Sequence, residues 1–85
     1  SGSATISISA PKPCVVRVAV FDMQGRKVRT ISWDEQVSGA KSYIWDGTDD
    51  EGNRLMTGLY FITLTAREAA GTGTRMIVRM VALRD

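Results

Sequence analysis

Hydrophobic and polar side chains alternate in short runs along most of this chain, and turn residues separate the runs. Thr5-Ile6-Ser7-Ile8-Ser9 alternates strictly, and Pro11 and Pro13 close it. Cys14 to Asp22 is a valine-rich second run, followed by the turn Met23-Gln24-Gly25-Arg26, where Gly25 supplies the positive φ of a hairpin. Lys27 to Ser32 returns as its partner, Trp33 to Ala40 reads as a polar loop ending after Gly39, and Lys41 to Trp45 is a fourth strand. A long acidic loop follows, then a strand over Leu59 to Glu68, a turn over residues 69–73, and a last strand over Thr74 to Arg84. No apolar period of 3.6 residues persists for three turns, so helices are not expected.

A period of two sorts each strand into faces. Val16, Val18 and Val20 point one way, with Arg17 and Ala19 opposite. Tyr43 and Trp45 share a side with the stem of Lys41. Tyr60, Ile62, Leu64 and Ala66 point together, away from Thr63, Thr65 and Arg67. In the last strand Met76, Val78, Met80 and Ala82 oppose Arg75 and Arg79. A sheet with one apolar face buries it against another layer, so the pattern predicts an all-β antiparallel sandwich of about seven strands. Eighty-five residues suffice for one such domain, burying about 63% of the unfolded surface. Ser1-Gly2-Ser3 reads as a cloning scar, leaving residues 4–85 as the single domain.

Charge refines the picture without changing it. Residues 1–30 carry five bases against one acid, residues 31–53 six acids against one base, and residues 54–85 five bases against two acids. The bases stand singly along strands and are not interleaved with exposed aromatics, so no nucleic-acid partner is expected. No apolar run approaches the ~20 residues of a membrane span. The chain has no histidine and one cysteine. That removes Ser-His-Asp and Cys-His nucleophilic chemistry, the commonest zinc ligands and any internal disulfide. Cys14, beside Val15 and Val16, reads as a small buried hydrophobe.

The densest polar segment is Trp45-Asp46-Gly47-Thr48-Asp49-Asp50-Glu51-Gly52-Asn53, followed by Gly58-Leu59-Tyr60-Phe61. Its oxygen ligands are close enough to suggest a calcium site, but the spacing is not that of an EF-hand loop. Asp and Asn that fix turns, with Gly47 and Gly52 in conformations open to glycine, are the structural alternative and the one adopted here. Adjacent acids on a solvated loop lack the apolar pocket that would make a glycosidase pair. No catalytic residue, metal or cofactor is expected. Trp33 and Phe61 are the two aromatics placed to stack on a sugar.

The runs from Val18 to Ile31, from Trp45 to Asn53 and from Gly58 to Phe61 resemble the immunoglobulin-like domain family of the flagellar hook-capping protein. They are also similar to the C-terminal sorting domains of the type IX secretion system. The resemblance covers about Thr5 to Arg84. It implies an immunoglobulin-like (fibronectin III-like) sandwich without catalytic residues, appended to a larger secreted or cell-surface bacterial protein. Trp45, Asp46, Gly47, Asp49, Gly52, Gly58 and Tyr60 form its structural motif. The expected role is a non-catalytic accessory module for sorting or attachment. Its partners would be secretion or cell-surface machinery or a parent catalytic domain, and Arg17, Arg67, Arg75 and Arg79 would be its recognition surface. The alternatives are a carbohydrate-binding module and a flagellar-cap-type assembly domain.

Overall fold

The computed structural model describes residues 3–84. Of the tract Ser1-Gly2-Ser3, only Ser3 falls within them, exposed and ahead of the first strand; Ser1, Gly2 and Asp85 lie outside. Four strands form: β1 (Ala4–Asp22), β2 (Lys27–Trp45), β3 (Gly58–Glu68) and β4 (Thr74–Leu83). They make one antiparallel sheet in the order β2-β1-β3-β4. The all-β antiparallel expectation holds. The count of about seven does not, because predicted neighbours are joined into long strands.

Both joins have a physical cause. Pro11 and Pro13 do not end β1, because they sit where the ladder needs no donor. Pairing with β2 jumps from Ala10↔Gly39 to Cys14↔Val37, leaving residues 11–13 without partners. The stretch read as a polar loop, Trp33 to Ala40, is the middle of β2, and Val37 within it is buried. Its irregular pattern has two causes, the jump between Gly39 and Val37 and a bulge between Glu35 and Ser32, and two more register shifts follow toward Lys27. Each bulge moves the alternation by one residue, so no single period of two survives.

The β1–β2 hairpin folds over on itself at this jump. Nineteen-residue strands would run roughly 60 Å if straight, but the longest dimension of the molecule is 41 Å. The distal arm, Ala4–Ala10 paired with Gly39–Trp45, lays Ile6, Ile8, Tyr43 and Trp45 into the same core as Val16, Val18, Val20, Ile62 and Leu64. Across this core the rings of Trp45 and Tyr60 meet edge to face, with centroids 5.4 Å apart.

The faces of β1 and β3 follow the alternation, with Val16, Val18, Val20, Ile62 and Leu64 buried. The faces of β4 are the reverse of the expected ones. Ile77 is half-buried and Val81 and Leu83 are buried, whereas Met76, Val78 and Met80 are 64%, 55% and 57% exposed. Both parities of this strand contain apolar residues, so pattern alone could not choose. Pairing with β3 chooses: Leu64↔Ile77 and Tyr60↔Val81 place Ile77 and Val81 on the core side. Arg75 and Arg79 share that side at its margin. Their guanidiniums cross to the distal arm, where they donate to the Ser9 carbonyl at 2.8 Å and the Thr5 carbonyl at 3.0 Å.

Candidate functional site

The acidic loop is a self-satisfied cap on the end of the core. Trp45 is 1% exposed, and its indole Nε1 donates to the Thr48 carbonyl at 2.9 Å. Asp46 Oδ1 accepts from the Thr48 hydroxyl at 2.6 Å and from its N–H at 3.2 Å. These bonds, the hydroxyl's first, hold the Asp46 carboxyl below the usual carboxylate range. Asp49 Oδ1 accepts from the N–H groups of Glu51 at 3.0 Å and Asn53 at 2.9 Å. Its carbonyl accepts from Gly52 N–H at 3.0 Å, and its own N–H donates to Asn53 at 2.9 Å. Gly52 has φ +86°, which this turn requires and which an L side chain would strain. Buried Gly47 follows Asp46 and accepts from the Leu55 N–H at 3.0 Å. Gly58 opens β3, and the Tyr60 hydroxyl donates to the Met56 carbonyl at 2.7 Å.

The same turn occurs at Asp22. Its Oδ1 accepts from Gln24 and Arg26 N–H groups, both at 2.9 Å. Its carbonyl accepts from Gly25 N–H at 3.0 Å, and its N–H donates to Arg26 at 2.9 Å. Asp22 is buried, and the Arg26 backbone donor, ahead of its guanidinium, lowers its pKa. In the hydrophobic pattern Asp22 is only the end of a strand, and its turn-fixing role emerges from the structure. The signal was the repeated spacing Asp-x-x-Gly in Asp22 to Gly25 and Asp49 to Gly52.

The loop also covers one edge of the sheet. Asp50 donates its N–H to the Val28 carbonyl at 3.2 Å, and its Oδ1 accepts from the Thr30 N–H at 2.9 Å. Arg29 reaches the other way, donating to the Thr48 hydroxyl at 2.8 Å and the Asp49 carbonyl at 2.9 Å. The carboxylates of Asp46, Asp49 and Asp50 therefore accept bonds from the loop itself or from β2. Among the described residues no group of three or more His, Cys, Asp or Glu could hold a metal ion.

The four arginines expected to act together occupy two different faces. Arg17 and Arg67 are exposed on the outer face, while Arg75 and Arg79 lie on the core side, bound to the distal arm. Arg17 faces a bulge in β2, between the pairs Val16↔Glu35 and Val18↔Ser32, that brings Trp33 and Asp34 beside it. It stacks over the Trp33 ring at 4.1 Å and donates through Nε to Asp34 at 2.6 Å; Lys27 Nζ also lies 5.2 Å from the ring centroid. The hydrogen bond from Arg17 holds the Asp34 carboxyl low. Asp34 takes φ 57°, a conformation that Asp tolerates better than most residues. Trp33 is thus not a loop residue but part of the outer sheet face, and cations already cover its ring. That works against a sugar platform of Trp33 and half-buried Phe61. A cleft of about 510 Å³ runs beside it, lined by Ala19, Phe21, Thr63, Thr65 and Met76 among others. A second cleft of about 310 Å³ lies at the hairpin bend beside Pro11, Glu68 and Arg75. Cys14, at its wall, is buried and donates to the Lys12 carbonyl at 3.3 Å.

The chain matches the model of the FlgD Ig-like domain over residues 1–70. It is 31% identical over 64 residues to the basal-body rod modification protein FlgD of Salmonella typhimurium, a match covering 75% of this chain and 26% of that protein. The figures are the same for the FlgD of Escherichia coli K12. The chain therefore spans about a quarter of the length of the curated relatives it matches. Among solved structures, FlgD from Xanthomonas campestris, described as giving insights into the hook capping essential for flagellar assembly, superimposes with a TM-score of 0.70. That match has 32% sequence identity over 94% of this chain and 57% of the other.

These matches correct the expectation of a type IX sorting signal, since they fall on the flagellar side of the two resemblances. They agree with the expectation of a non-enzymatic domain, because the relatives are named for basal-body rod modification and hook capping and not for a catalysed reaction. The chain belongs to the FlgD Ig-like domain family.

Proposed function

We propose that this chain is a non-catalytic assembly domain of a hook-capping type of protein, exported to the cell surface and working among flagellar hook components. The observation that carries the reading is the family match over residues 1–70 together with the 94% coverage of the chain by the Xanthomonas campestris FlgD structure. The geometry supports it. The turns and carboxylates described above fix backbone and edge, as an assembly domain needs.

In this reading the domain is a two-layer immunoglobulin-like sandwich whose bent β1 and β2 each serve both layers. Trp45, Asp46, Gly47, Asp49, Gly52, Gly58 and Tyr60 form the cap that closes one end. The bond from the Tyr60 hydroxyl back to Met56 is of the kind that fixes a corner in such sandwiches.

The test is a chimera in which residues 4–84 replace the matching segment of Salmonella typhimurium FlgD. Export of the chimera with hooks assembled on the cells is the expected result. A chimera that is exported and protease-resistant, yet leaves the cells without hooks, would overturn the proposal.

A further inference from the structure

The outer face of the main sheet carries a trough along β1 and β3. Paired residues cross it in rows: Arg17, Thr65 and Met76, then Ala19, Thr63 and Val78, then Phe21, Phe61 and Met80. The floor is small. Ala19 is 6% exposed although it points away from the core, so it lies sunk below its neighbours. Trp33 on β2 and Met76 on β4, each more than half exposed, line opposite sides of the cleft of about 510 Å³. Strands β2 and β4 stand three inter-strand steps apart, about 14 Å. A helix with its side chains is about 10–12 Å across, so it fits between these walls. A helix also satisfies its own backbone groups, whereas an extended segment laid on a sheet face finds no backbone partners there.

The charge around the trough has one sign. Lys27 and Arg17 stand on its β2 side, and Arg67 follows Thr65 at one end. The acid beside them, Asp34, is already bonded to Arg17. Lys27 and Arg67 take part in no salt bridge among the described residues. The β4 side is uncharged, with Met76, Val78 and Met80 facing solvent. We propose that this trough docks an acidic amphipathic helix of another protein. Its apolar stripe lies over Ala19, Thr63 and Met76, and its acidic flank faces Lys27 and Arg67. An apolar floor with a charged border is the anatomy of a non-obligate interface, whereas a permanently buried one is depleted of charge at its centre. Complementary charge sets the direction of the helix's acidic side and excludes basic partners. The inference rests on this face alone and does not depend on the hook-capping role.

Chemical-shift mapping of the isotopically labelled 85-residue chain tests it. The probes are two helix-stabilised peptides of about 14 residues, with the same leucine stripe and either glutamates or lysines on the flank. The glutamate peptide should shift the amides of Ala19, Thr63 and Thr65 saturably, and less tightly as salt rises. The lysine peptide should bind about tenfold more weakly, the loss of two exposed charge pairs. Lys27→Glu combined with Arg67→Glu should reverse that preference. Thr65→Trp fills the floor and should abolish binding of both peptides, with the circular dichroism spectrum unchanged because the side chain points away from the core. Failure of the glutamate peptide to shift these amides overturns the proposal. So does equal binding of the two peptides, or binding that survives Thr65→Trp. Saturable binding to phosphatidylglycerol vesicles without binding to the glutamate peptide overturns it too, by making the face a lipid surface.

Discussion

The Tyr43 hydroxyl donates to Oε1 of Glu35 at 2.6 Å, although the two residues lie eight positions apart on one strand. A straight strand would separate them by about 26 Å. The bond therefore spans the fold in β2 and ties the distal arm to the main sheet. Ser32 donates to the same oxygen at 3.0 Å, and Lys41 Nζ lies 3.6 Å from the other.

This cluster predicts the shape of stability against pH. Burial first, and the bond to Glu35 second, push the Tyr43 phenol up to about 12. The unfolded value is about 10. The fold thus favours the neutral phenol, and that contribution is complete below pH 10 and lost as pH rises from 10 to about 12. Glu35 has the opposite sign. Bonds from Tyr43 and then Ser32 hold its carboxyl low. Its contribution is therefore present above the unfolded value near 4.3 and lost as pH falls through the lower folded one. Urea midpoints measured across the pH range should form a plateau with both limbs. Tyr43→Phe should remove the tyrosine's part of the alkaline limb. An alkaline limb identical in both proteins would show that Tyr43 does not govern it.

Much of the core was legible in the chain, because β1 and β3 alternate cleanly and each offers only one apolar parity. Two things were not legible. The bulges in β2 break the alternation, so a strand carrying Trp33 and Asp34 resembled a loop. In β4 both parities are apolar, and only pairing with β3 decides that Met76 and Val78 face solvent. That error propagated to the candidate site: it grouped Arg75 and Arg79 with Arg17 and Arg67, although the first two bond the distal arm on the opposite face. The acidic loop was readable as turn chemistry, but its grip on Val28 and Thr30 joins residues distant in sequence that no local pattern connects.

The twin turns predict unequal costs. Asp22 and Asp49 make the same four backbone hydrogen bonds. Asp22 is buried and also holds the Arg26 guanidinium at 2.9 Å, whereas Asp49 is half-exposed. Asp→Ala at either position should lower the melting temperature, with Asp22→Ala the more damaging. The reverse order in thermal denaturation would mean that the acidic loop, not the β1–β2 hairpin, limits stability.

The two tryptophans should differ sharply. Trp45 is 1% exposed, packs on Tyr60 and donates to Thr48. Trp45→Ala removes a buried ring and should cost about 3–5 kcal/mol, a large share of the 5–15 kcal/mol typical of small domains. Trp33 is 55% exposed, and its ring chiefly supports Arg17 and Lys27. Trp33→Ala should cost roughly 0.5–1 kcal/mol, the size of an exposed cation–π contact. Equal shifts of the denaturant midpoint would contradict the assignment of Trp45 to the core and Trp33 to the surface.

The acidic loop should be indifferent to calcium and sensitive to the loss of Asp50. Oδ1 of Asp46, Asp49 and Asp50 already accepts bonds from Thr48, Glu51, Asn53 and Thr30, and among the described residues no three carboxylates are grouped to hold a metal ion. A true site held at a hundred times its dissociation constant would add about 2.7 kcal/mol and raise the melting temperature visibly. Millimolar calcium is expected to leave that temperature unchanged. Asp50→Ala removes the acceptor of the Thr30 N–H, which lies on the edge strand β2. Faster hydrogen exchange at Thr30, with amides in β3 unchanged, is the expected signature. A calcium-dependent rise in melting temperature that Asp50→Ala abolishes would instead make this loop a cation site.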